Sequence, residues 1–162
     1  MKLARVTFLL RRLKESVSNS QLMCAYYAFF HSHISYGIML WGNSTGALDV
    51  FKWQKKVVRC IKGKASRESC RPLFRELAIL TLPSLYIFHS LLNTKENLSN
   101  LSTRKNVHSY GTRNRNDLDL PHVRLRKTQE NHGYNGIKLF NKLPAQLKDM
   151  PLDKFKRTLK NG

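Results

Sequence analysis

Large apolar side chains recur every third or fourth position through most of residues 1–97, a spacing that predicts helices and almost no strand. From Lys2 to Ser16, residues Leu3, Val6, Leu9, Leu10 and Leu13 make one apolar stripe, with Arg5, Arg12 and Lys14 mostly elsewhere around the turn. Ser18-Asn19-Ser20 breaks the pattern and supplies capping side chains. Between Gln21 and Trp41 the chain is apolar on nearly every face, which predicts a buried helix of a bundle, with Gly37 and Gly42 marking a kink and an end. Further on, Ser69 is the expected cap of a helix with Pro72 in its first turn and Leu73, Phe74, Leu77 and Leu80 facing inward. Thr81 then caps a helix running to about Thr94 through Leu85, Phe88, His89 and Leu92.

The stretch from Phe51 to Gly63 carries two opposed patterns. On a helix, Lys52, Lys55, Lys56, Arg59 and Lys62 fall in one stripe, while Val50, Phe51, Val57, Val58 and Ile61 take another face. Thr45 or Ser44 is the expected cap, Asp49 sits near the positive end of the dipole, Lys62 near the negative end, and Gly63 is the left-handed stop. A basic face can simply solvate a helix. Five aligned cations with no acid between them favour an anion-binding face instead.

Residues 97–131 change character, being rich in Asn, Ser, Thr, Arg and His, and the run from Ser109 to Asp117 has no helical period. This predicts an extended, partly disordered arm. Arg113, Arg115, Arg124, Arg126 and Lys127 lie in it, with Tyr110 and histidines interleaved, a mixture suited to phosphates and base faces; a solvated loop is the plain alternative. Short helices follow from Asn135 to Lys142, from Pro144 to Lys148, and from Pro151 to Lys160, the last with Leu152, Phe155 and Leu159 inward. The expected organisation is all-α: a small helical bundle over residues 1–97, a basic arm over 98–131, and a C-terminal helical segment over 132–162.

Charge narrows the choice of partner. Twenty-nine Lys and Arg against 10 Asp and Glu leave a net charge of +19 on 162 residues, a self-repulsion best explained by an acidic partner, nucleic acid before an anionic membrane surface. Five phosphate contacts on a duplex correspond to a salt slope of about −4.5. The apolar run from Gln21 to Trp41 is long enough to span a bilayer, but His31, Ser32, His33 and Ser35 at its centre argue against a membrane. Three cysteines, Cys24, Cys60 and Cys70, make no disulfide framework, which points to a reducing compartment, nuclear or cytoplasmic. The N-terminal cations follow their apolar run, the wrong order for a secretory signal.

The residues provide little chemistry beyond charge. The ten acids are scattered, and the one close pair, Asp117 and Asp119, reads as local charge pairing in a loop. His31 and His33 lie roughly 200° apart on a helix and cannot share an ion without a bend. No phosphate-cradling glycine loop, nucleophile elbow or zinc spacing occurs, so no catalytic residue, metal or cofactor is expected.

Several runs together resemble a known family. These are His31-Ser32-His33-Ile34-Ser35-Tyr36-Gly37-Ile38 with Leu40-Trp41-Gly42, then Gln54-Lys55-Lys56-Val57-Val58-Arg59, then the stretch from Cys70 to Pro83. They are similar to the region just downstream of the palm in reverse transcriptases of jockey-like non-LTR retrotransposons. The stretches from His108 to Asn114 and from Tyr134 to Pro144 match segments that close such reading frames, and the similarity keeps the family's order over about residues 20–160. The family's full protein is an RNA-directed DNA polymerase, usually with an endonuclease. These 162 residues include neither that domain nor the paired aspartates of the palm. The resemblance therefore implies a thumb-like bundle with a C-terminal tail, a template-primer contact role for the helix from Phe51 to Gly63 and for Arg113, and the palm and fingers as a second partner. It carries over no catalytic residue.

Three functions are consistent with these observations. The first is a non-catalytic nucleic-acid-binding fragment. The others are a membrane-surface or partner-helix module built on residues 22–41, and a decaying insertion without selected function.

Overall fold

The computed structural model describes residues 2–107, 111 and 113–161. Among them the chain is all-α, and the one β pairing is an isolated antiparallel bridge between Thr103 and Leu118. The chain divides into two compact units, residues 1–85 and 86–162. The division falls inside a helix, not at the change of composition near residue 97.

In the first unit α1 (Lys2–Leu13) packs along α5 (Ala47–Lys62). A capping box at Ser18 opens α2 (Asn19–Ala25): the Ser18 hydroxyl accepts from the Gln21 N–H and the Gln21 side chain accepts from the Ser18 N–H. The helix expected from Gln21 to Trp41 is continuous only as far as Ser35, is underwound at its centre, and has its expected break at Gly37 and its expected end at Gly42. A π-helical turn (Tyr26–His31) follows α2, then α3 (Ser32–Ser35), a left-handed Gly37 at φ 59°, and α4 (Ile38–Trp41). The buried row explains the underwinding. Leu22, Tyr26, Phe30, Ile34 and Ile38 repeat strictly every four residues, and all are buried. On a regular α-helix such a row drifts by about 40° per step, whereas i→i+5 bonding, seen where the Ser32 N–H reaches the Tyr27 carbonyl, slows the rotation and keeps the row on the core. A row of one residue in four covers only a strip, so the expected burial on nearly every face is not realised. Tyr36 is 85% exposed and Leu40 81%, with Tyr27 and Phe29 also exposed.

Helix α5 starts at Gly46, which makes no side-chain capping bond, rather than at Thr45 or Ser44. Its stop is the expected one. Gly63 takes φ 67°, its N–H donates to the Cys60 carbonyl, and the Lys64 N–H donates to the Arg59 carbonyl. Ala47, Gln54, Val57, Val58 and Ile61 are buried, while Val50 and Phe51, expected inside, are half-buried. Helix α6 (Arg71–Glu76) has Cys70 at the cap position with no side-chain capping bond, and the expected Ser69 hydroxyl accepts from the Arg71 N–H at 3.4 Å. It ends in Ala78 at φ 51°, a left-handed turn that sends Ile79 into the core and leaves Leu77 and Leu80 half-buried. Helix α7 (Leu82–Glu96) begins as expected, with the Thr81 hydroxyl accepting from the Ser84 N–H.

Gln54 is the polar residue that the apolar pattern did not flag. Fully buried on α5, it donates through Nε2 to the Leu80 carbonyl at 2.9 Å and to the Tyr26 hydroxyl at 3.3 Å, and accepts through Oε1 from the Leu82 N–H at 2.8 Å. The last bond satisfies one of the orphan donors at the start of α7. One amide thereby joins α5, the π-turn and the entry to α7.

The second unit has its own core of Leu91, Leu92, Leu118, Ile137, Phe140 and Phe155. Helix α7 enters it, followed by a 3-10 turn (Leu98–Asn100) and two short helices, α8 (Arg104–Val107) and α9 (Arg126–Gln129). Helix α10 (His132–Asn141) starts three residues before the expected Asn135, because the Asn131 side chain caps it by accepting from the Gly133 N–H. Gly136 permits the close approach of α10 to α7: a Cβ there would collide with the Thr94 hydroxyl and stand 3.2 Å from the Ser90 carbonyl. After α11 (Ala145–Lys148), α12 (Leu152–Asn161) inserts Phe155 into the core, but Leu152, expected inside, is 39% exposed. The arm is tied at its base. The Asn141 amide both donates to and accepts from the Leu118 backbone at 2.9 Å, and Asp117 pairs with Lys148 at 3.0 Å, so this carboxylate holds α11 and, among the described residues, pairs with no cation of its own loop.

Replacing Gln54 by Leu keeps the volume and adds apolar surface, yet it leaves the part-buried Leu80 carbonyl and the buried Leu82 N–H without their partner. Urea unfolding is expected to show a loss of about 2–4 kcal/mol; an unchanged midpoint would contradict the role assigned to Gln54. Burial pushes the Tyr26 hydroxyl from its ordinary value of 10.0 up to about 12. Because the folded value is the higher, the associated stability, on the order of 2–3 kcal/mol, is complete below pH 10 and is lost as pH rises from about 10 towards 12. Ultraviolet titration of phenolate should show one tyrosine ionising late, a component that Tyr26→Phe removes.

Candidate nucleic-acid interface

The structure sorts the predicted cations of α5 into groups. Lys62, half-buried, pairs with Glu76 at 2.6 Å, and Lys52 pairs with Asp49 at 2.8 Å in an exposed i,i+3 contact. Arg59 Nε donates to the Glu68 carbonyl at 2.8 Å, which fixes the guanidinium beside the loop after α5. Lys55 and Lys56 have no carboxylate partner among the described residues. Their ammonium groups lie over aromatic rings instead, Lys55 at 4.7 Å from the Phe51 centroid and Lys56 at 4.3 Å from that of Trp53.

Two adjoining hollows, each of about 440 Å³, border this face. One is walled by Arg11 and Lys14 at the end of α1, by Lys56 and Arg59 on α5, and by Lys64, with Glu15 the one carboxylate. The other is walled by Lys52, Trp53, Lys55, Lys56 and Arg59, with Asp49. Five cations against one acid in the first hollow exceed what the two helix C-termini beside it require, since each C-terminus amounts to about half a negative charge. Glu68 stands at the edge of this region. Its carboxylate accepts from the Ala65 N–H at 2.9 Å and lies 3.3 Å from Lys64; chiefly the backbone bond holds its pKa below the usual carboxylate range.

Arg11, Lys14 and Lys64 were missed as site residues. Arg11 and Lys14 fall outside the α5 stripe in sequence, and the packing of α1 along α5 brings them to the same hollow. The only available signal was the concentration of basic residues at the end of the first amphipathic segment. Lys62 was grouped with the others by angle alone, before Glu76 could be placed beside it.

The arm's cations belong to the second unit. Arg113, Arg115, Arg124, Arg126 and Lys127 are all exposed, and Arg126 pairs with Glu130 at 3.0 Å. Tyr110, expected to stack on bases, lies outside the described residues, as do His108, Ser109 and Thr112 of the motif around Arg113.

His33 is exposed with Nδ1 at 2.6 Å from the Phe29 carbonyl, and His31 is half-buried among Tyr26 and Tyr27. Among the described residues no group of three or more His, Cys, Asp or Glu side chains is placed to hold a metal ion, and no helix is long and apolar enough to cross a membrane. No protein family, no curated protein and no solved structure matches this chain.

Single substitutions separate the free cations from the paired one. Lys56→Gln is expected to weaken polyanion binding by about 3- to 10-fold, whereas Lys62→Gln changes it less than about twofold and instead lowers thermal stability slightly. Equal losses of binding, measured on heparin or an oligonucleotide, would contradict this sorting.

Proposed function

We propose that this chain is a non-catalytic nucleic-acid-binding segment, a thumb-like piece resembling the C-terminal part of a non-LTR retrotransposon reverse transcriptase, which holds a sugar-phosphate backbone on α5. One observation carries the reading: Lys55 and Lys56, without carboxylate partners among the described residues, border hollows lined by further cations of α1 and of the turn after α5. The net charge of +19 supports it, because a polyanion relieves the self-repulsion that the fold otherwise bears. The bond from Arg59 to the Glu68 carbonyl supports it as well, since a guanidinium held in place loses less freedom when it meets a phosphate. In this reading the exposed Tyr36 and Leu40 meet the palm and fingers of a polymerase, and the chain supplies grip without chemistry.

Binding to a random-sequence oligonucleotide is expected to fall with salt at a slope of about −4 to −5, with little dependence on sequence. Changing Lys52, Lys55, Lys56 and Arg59 together to Glu should abolish it while leaving the helical circular-dichroism signal intact. Persistent polyanion binding by that folded variant would remove the proposal.

A further inference from the structure

The two hollows beside α5 are chemically different, and they share a wall. Lys56 and Arg59 line both, but only the second hollow contains an aromatic ring, that of Trp53. The first is walled by cations from two helices: Arg11 and Lys14 on the α1 side, Lys56, Arg59 and Lys64 on the α5 side. Gly63 contributes to that wall by lacking a side chain. A Cβ at this position would stand 2.6 Å from Lys14 Nζ, so the lysine ammonium occupies space that the glycine leaves over the end of α5.

From this arrangement we infer that the site selects single-stranded nucleic acid over duplex, seating a phosphate in the cationic hollow and stacking the neighbouring base on Trp53. The inference rests on the nucleic-acid reading above and names its substrate class. A duplex offers phosphates on its outside while its base faces are covered by their neighbours in the stack. Only an unpaired, splayed nucleotide can present a phosphate and a base face to adjoining compartments at once. A ridge of cations would suit a duplex, but here the cations form two walls and the ring lies next to them.

Lys56 links the two compartments. In the structure its ammonium lies 4.3 Å from the Trp53 ring centroid, satisfied by the ring face in place of a carboxylate. A phosphate in the neighbouring hollow is the stronger partner for that charge. Drawing Lys56 towards it uncovers the ring for a base, so phosphate binding and stacking favour one another. Trp53 is half-buried on α5 and lines the second hollow where it stands.

The test compares fluorescence anisotropy of a labelled oligothymidine with that of a mixed-sequence duplex of the same length, using the full chain at fixed salt. The expected result is tighter binding of the oligothymidine by about tenfold, lost in Trp53→Ala, largely retained in Trp53→Phe, and accompanied by tryptophan quenching in a Trp41→Phe background. Lys56→Gln should weaken both probes. If both bind equally, or if Trp53→Ala leaves the preference unchanged while the folded signal is kept, the single-strand inference is overturned and the backbone-binding reading survives. If neither probe binds, that broader reading fails with it.

Discussion

A single buried amide orients the basic helix. Gln54 sits in the middle of α5 and spends three of its hydrogen-bonding positions on groups from elsewhere in the first unit: the Tyr26 hydroxyl, the Leu80 carbonyl and the Leu82 N–H. Apolar contacts are not directional, so the buried Val57, Val58 and Ile61 fix the rotation of α5 less sharply than bonds with set geometry do. The hydrogen bonds fix it, since a small rotation would strand the buried Leu82 N–H and the part-buried Leu80 carbonyl. The direction in which Lys55, Lys56 and Arg59 point is therefore set from the opposite side of the helix.

The same bond set accounts for the unusual segment before it. Tyr26 must bring its hydroxyl to Gln54 while Leu22, Phe30, Ile34 and Ile38 stay on the core, and the π-turn achieves both by slowing the helical rotation at Tyr26–His31. The consequence is a narrow buried strip with large apolar side chains left outside, Tyr36 and Leu40 among them. Charge follows a related economy. The acids near α5 are used to hold its two ends, Asp49 with Lys52 and Glu76 with Lys62, and the middle of the stripe is left to aromatic rings that tether a cation without neutralising it.

Helix existence and type were legible from spacing because a 3.6-residue period is a local property. The Gly63 stop, the Thr81 cap and the burial of Val57, Val58, Ile61 and Phe155 were all readable in this way. Burial all round residues 21–41 was not realised, because hydrophobicity says how much surface wants cover and not how much a neighbour can provide. Leu152 and Val50 were misplaced for the same reason. The arm was read from composition as extended or partly disordered, and its Leu118 is buried and held by Asn141, a tether between residues 23 apart that no local pattern announces.

What the sequence determined by itself is the helical class, the positive charge and the stripe on α5, each fixed by residue identity and short-range geometry. Only the tertiary structure decided which cations are free and what stands beside them. Lys62 was separated from its stripe by Glu76, 14 residues on, and Arg11 and Lys14 were brought to the same hollow by the packing of α1 along α5. The physical reason is the range of the forces: periodicity acts over one turn of helix, whereas the field at a site sums charges near in space however far apart in sequence.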